Sequence, residues 1–117
     1  MFVVREAQVE AMLEPMRRRF VEGTRAWLRG KWARKLELVK DDDLRKTIRA
    51  GMDRAMKYGI DTEASMSLFI ELMVAIAPDF DDRPEAGWLK GFLENPRVPA
   101  AEKAEFVHRQ LLPAPQE

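Results

Sequence analysis

Glu71 is the one charged residue in the most apolar stretch of the chain, residues 66–77. Apolar surroundings disfavour the ionised form of a carboxyl group, and a raised pKa is what acid–base catalysis exploits. His108 is the only histidine, and the only serines are Ser65 and Ser67. These groups would serve a small enzyme if Glu71 or His108 lined an enclosed pocket. No nucleophile elbow, phosphate-binding loop or dinucleotide glycine pattern accompanies them. The structural reading of Glu71 is an ion pair with an arginine of the preceding helix, or a face that reaches solvent. That of His108 is a cation near the end of the last helix, where it is favourable. No cysteine is present, which excludes disulfides, thiolate metal sites and thiol nucleophiles.

Two charged clusters follow. Asp79, Asp81, Asp82 and Glu85 offer hard oxygen ligands. A calcium loop starting at Asp79 needs glycine at its sixth position and glutamate at its twelfth, but Pro84 and Lys90 stand there. The cluster therefore reads as a charged turn in which Asp81 or Asp82 caps a helix and Phe80 turns inward; no metal and no cofactor are expected. Arg17, Arg18, Arg19, Arg25, Arg29, Lys31, Arg34 and Lys35 form a basic run interleaved with Trp27 and Trp32. Cations neutralise phosphates and aromatic rings stack on bases, so this run is a nucleic-acid candidate. Against it, three consecutive arginines spread around a helix instead of forming one edge.

The elements that carry these residues all read as helices. Val9, Leu13, Met16, Phe20, Gly23 or Thr24, and Trp27 recur at helical spacing over residues 6–29, with Pro15 kinking or restarting the helix. Residues 31–39 suggest a shorter helix with Trp32, Leu36 and Val39 inward. Asp41, Asp42 and Asp43 open a helix to about Tyr58, striped by Leu44, Ile48, Met52 and Ala55. Asp42–Lys46, Arg49–Asp53 and Asp53–Lys57 are spaced for pairing on its wet side. Gly59 fits a left-handed cap followed by an apolar contact from Ile60. Residues 62–77, capped by Asp61 or Thr62 and ended by Pro78, are apolar nearly all round and so form the central helix. A short helix from Pro84 carries Trp88, Leu89, Phe92 and Leu93 until Asn95–Pro96 breaks it. A last helix runs from Pro99 to about Leu112, with Ala104, Val107 and Leu111 inward. The expected fold is all-α, a compact bundle of five to six helices in a single domain over residues 1–112, with a frayed tail at 113–117.

The chain has 117 residues, and its 20 basic and 20 acidic side chains cancel. They are unevenly placed: residues 1–58 carry a balance of +6 and residues 59–117 one of −6. Such asymmetry can steer a partner or orient two copies head to tail. No stretch is long and apolar enough to cross a membrane, and no signal peptide is recognisable, so a soluble protein is expected. The seven methionines would fill an irregular core or, if exposed, an adaptable groove.

The segments Ile48-Arg49-Ala50-Gly51, Tyr58-Gly59-Ile60, Thr62-Glu63, Phe69-Ile70-Glu71-Leu72-Met73 and Asp79-Phe80-Asp81, with Pro84 and Trp88, resemble a family of small helical proteins of Gram-negative bacteria. Genes of that family often lie near type VI secretion or related phage-tail-like injection genes. The resemblance covers the middle third of the chain and implies a bacterial cytoplasmic accessory protein: an adaptor, chaperone or immunity partner of a secreted effector or spike component. It implies no catalytic residue. The lopsided charge and missing catalytic groups themselves favour a non-enzymatic protein–protein interaction module. Its expected contact surface joins Arg17, Arg18, Arg19 and Arg25 to Asp79, Phe80, Asp81, Asp82 and Trp88. The alternative is a nucleic-acid-binding regulator that uses the basic N-terminal helix.

Overall fold

The computed structural model describes residues 14–83 and 87–112. Among them are five α-helices and no β-strand: α1 (Glu14–Lys31), α2 (Asp41–Lys57), α3 (Glu63–Ala75), α4 (Gly87–Glu94) and α5 (Ala100–Leu111), with one 3-10 turn at Phe80–Asp82. The fold is an all-α bundle. Helix α3 is its axis: eleven of its thirteen residues are buried, as an element apolar on nearly every side must be. Helices α2 and α5 pack most extensively on α3, α1 lies on α2 and α3, and α4 joins α5 and the 3-10 turn. The core runs through Phe20, Leu28, Leu44, Ile48, Ile60, Met66, Phe69, Ile70, Leu72, Leu89, Leu93 and Val107. Each such side chain contributes about 1.5–3 kcal/mol by leaving water.

Helix boundaries follow local chemistry. Pro15 stands in the first turn of α1, where its missing N–H breaks no helical bond. The buried face of α1 is Phe20, Val21, Thr24 and Leu28. It is rotated from the expected stripe, so Met16 is 36% exposed and Trp27 half-buried; Val9 and Leu13 lie outside the described residues. At the end of α2, Gly59 adopts φ 80°. Its N–H donates to the Met56 carbonyl and that of Ile60 to the Ala55 carbonyl, a Schellman closure with Ile60 fully buried. Thr62 caps α3, accepting from the Ser65 N–H at 3.3 Å. Where α2 crosses α3, Gly51 lets the backbones approach: a Cβ there would stand 2.8 Å from Ile70 Cγ1 and Met73 Sδ.

Three expectations are corrected. Residues 32–38 form turns, not a helix. The Arg29 guanidinium takes the carbonyl oxygens of Leu36 and Val39, holding the segment in turns, while Leu36 is still buried and Trp32 and Val39 still pack on the core. The residue preceding α2 is Lys40 and gives no side-chain cap; Asp41, Asp42 and Asp43 lie in the first turn, where negative charge still suits the helix dipole. The α2 side chains choose other partners than the expected i,i+4 ones: Asp42 pairs with Arg45 at 2.9 Å and Arg49 reaches Glu14 at 3.3 Å.

Candidate functional site

The central carboxylate is closed to solvent: Glu71 is 0% exposed. Its Oε2 accepts from Trp32 Nε1 and Lys31 Nζ, each at 2.8 Å, and its Oε1 lies 2.7 Å from His108 Nε2. Burial alone pushes this carboxyl up, but bonds from His108, Lys31 and Trp32 outweigh it and hold the pKa at about 2. Glu71 is therefore a fixed anion at neutral pH, with the end of α1, the following turn and α5 gathered around α3. Lys35 adds a bond to the Ala75 carbonyl at 2.6 Å, in the last turn of α3. The expected arginine partner from α2 is replaced by Lys31, Trp32 and His108. The α2 arginines turn elsewhere: Arg45 to Glu22 at 2.7 Å, and Arg54 to Asp81 and the Pro78 carbonyl.

The acidic turn is taken apart by its own neighbours. Asp81 is 2% exposed, bonded by Arg54 and by the Tyr58 hydroxyl at 2.5 Å. Phe80 is also buried, its ring 5.1 Å from that of Phe69. Asp82 accepts from Lys90 at 2.9 Å, and Asp79 pairs with Arg83 at 3.1 Å. The Lys90 ammonium beside Asp82 holds its carboxyl below the usual range. Phe80 and Asp81 thus belong to the interior, the three aspartates bind cationic side chains, and the helix start at Pro84 that Asp81 or Asp82 was expected to cap lies outside the described residues. Pro84 and Glu85 lie outside the described residues.

Beside this turn a cleft of about 260 Å3 is lined by Arg54, Lys57, Tyr58, Asp81, Asp82, Lys90 and Glu94. A second, of about 400 Å3, runs past Tyr58 to Val98 and Lys103. Lys103 donates to the Tyr58 carbonyl at 3.1 Å, closing the end of α2, and its burial lowers its pKa. Neither cleft is lined by Glu71 or His108.

The basic run divides. Arg25 pairs with Glu22 at 3.1 Å and Asp41 at 3.5 Å, Arg29 with Asp41, and Lys31 with Glu71. Arg17, Arg18, Arg19 and Arg34 form no ion pair among the described residues. No ion pair there joins Arg17, Arg18, Arg19 or Arg25 to Asp79, Asp81 or Asp82 either.

The open apolar surface lies on α4 and α5. Trp88 is 52% exposed and Phe106 37% exposed, with Phe92, half-buried, 5.0 Å from the Phe106 ring. Trp88 and Phe92 sit one helical turn apart on one face of α4. Trp88 was among the residues singled out from sequence, and it is exposed. Phe106 was not singled out, although it falls off the Ala104, Val107 and Leu111 stripe, and an aromatic off the buried stripe is the signal that would have found it.

No protein-family model, curated protein or solved structure matches the chain.

Proposed function

We propose that this chain is a non-enzymatic protein-interaction module whose docking face is the aromatic surface of α4 and α5. The observation that carries the reading is Trp88, half in solvent beside the Phe92–Phe106 pair. Tryptophan is costly to leave in water and is enriched where protein interfaces are most buried. Supporting it, the sequence's acid–base candidates are engaged with each other: the only histidine bonds Glu71, and Glu71 is held as an anion without solvent access. The proposed setting is that of an adaptor, chaperone or immunity partner in a contractile injection system, with a secreted effector or spike component as partner. That setting rests on the resemblance carried by residues 48–89.

The test compares the tagged full chain with its Trp88→Ser variant in capture from nuclease-treated bacterial lysate. A partner retained by the parent and lost by the variant is expected; capture unchanged by the substitution refutes the face. The second reading, nucleic-acid binding, is favoured by Arg17, Arg18, Arg19 and Arg34, which have no ion-pair partner among the described residues. It requires nuclease-sensitive capture that is indifferent to Trp88 and weakens steeply with salt.

A further inference from the structure

We propose that the α4–α5 aromatic face binds a second copy of this chain through the first turns of its α1, in a head-to-tail contact. The proposal rests on the reading of that face as a protein-docking surface and names its occupant. Around the rings stand carboxylates that lack a counter-charge. Glu102 lies one turn before Phe106, and Glu105 precedes it; both are exposed and form no ion pair among the described residues. The opposite chemistry stands on α1. Met16 is 36% exposed and is followed by Arg17, Arg18 and Arg19, likewise without an ion pair there. Guanidinium planes stack on aromatic faces and bond to carboxylates at once, so arginines next to an exposed methionine match rings bordered by glutamates.

The two patches are on different elements. Helix α1 packs on α2 and α3, whereas α4 packs on α5 and the 3-10 turn. A contact between unlike patches is heterologous: each copy gives one surface and receives on the other, so the product is an open chain or a ring. The overall charge of zero removes the self-repulsion that would oppose it. Both patches are small, so association belongs to the weak class of interfaces and is salt-sensitive.

The test is sedimentation velocity of the full chain from about 10 μM to about 1 mM, the range of weak specific association. The mean mass is expected to rise with concentration and to fall back on adding salt. Trp88→Ser alone, and the triple variant Arg17→Glu, Arg18→Glu, Arg19→Glu alone, should each remain monomeric with unchanged helical circular dichroism. Mixed in equal amounts they should form a two-copy complex and stop there, because each retains the surface the other lacks. The double variant Glu102→Lys, Glu105→Lys replaces Trp88→Ser should the latter lose its helical signal. A parent chain that stays monomeric throughout, or a mixture that fails to pair, overturns the second copy as occupant. Either result leaves the docking face standing so long as Trp88→Ser still abolishes capture of another protein.

Discussion

Replacing Glu71 with glutamine tests the central ion cluster. The pKa of this carboxyl falls from 4.5 to about 2, which corresponds to about 3 kcal/mol of preference for the ionised form in the folded state. Glutamine keeps the shape but presents a neutral amide to three donors. Lys31 is 44% exposed and turns to water, whereas Trp32 and His108 lose a strong acceptor in a partly enclosed position. The expected loss is about 2–4 kcal/mol at neutral pH, read from urea midpoints at constant slope. The pH dependence carries a definite sign. A carboxyl with a depressed folded-state pKa contributes its full stabilisation above its unfolded pKa and loses it as the pH falls. The gap between parent and Glu71→Gln should therefore shrink as the pH falls from about 4.5 to about 2. Glu22, Asp41 and Asp82 also have lowered values, but they titrate alike in both proteins and drop out of the difference. A loss below about 1 kcal/mol, the size of a surface ion pair, with acid curves running parallel, would refute the cluster as a source of stability.

Gly51→Ala should cost about 1–3 kcal/mol in urea unfolding, because its Cβ meets Ile70 and Met73 at 2.8 Å; an unchanged midpoint would show that the two helices separate freely. Thr24→Val should be neutral or stabilising by about 1 kcal/mol in the same assay, since the buried Thr24 hydroxyl has no hydrogen-bond partner among the described residues. Destabilisation there would mean that the hydroxyl is satisfied.

Legibility was highest where a single residue type dictates backbone behaviour. Gly59 was readable as a left-handed cap because a side chain is disfavoured at φ 80°. Helix α3 was readable because an apolar surface on every side leaves no position but the centre. The failure at residues 31–39 has an equally local cause. Trp32, Leu36 and Val39 keep helical spacing, and the Leu36 N–H does donate to the Trp32 carbonyl. One such turn satisfies the spacing without a helix, while the Leu36 and Val39 carbonyls bond to Arg29, a side chain outside the segment. Periodicity records which residues face the core; it does not record where the carbonyls find their donors.

The site was legible in kind but not in partners. A glutamate inside an apolar helix must bring donors with it, because a bare buried anion is prohibitively unfavourable. Proximity along the chain pointed to an arginine of α2. Those arginines face carboxylates on α1 and the 3-10 turn instead, so α3 has to find its donors on its other neighbours. They arrive from residues 37 to 40 positions away on either side, carried by the end of α1 and by α5. Sequence spacing has no term for such a meeting; it exists only once three elements are packed. The acidic turn shows the same limit from the other direction. Asp79, Asp81 and Asp82 look equivalent along the chain, yet packing buries only Asp81 and leaves the other two to surface cations. Trp88 is different because its burial depends on how much neighbouring surface exists to cover it. The bundle already buries Leu89 and Leu93 of the same helix. A short helix with two buried leucines and an aromatic on its other face has one apolar surface more than the bundle can use, and that surplus is what a partner would cover.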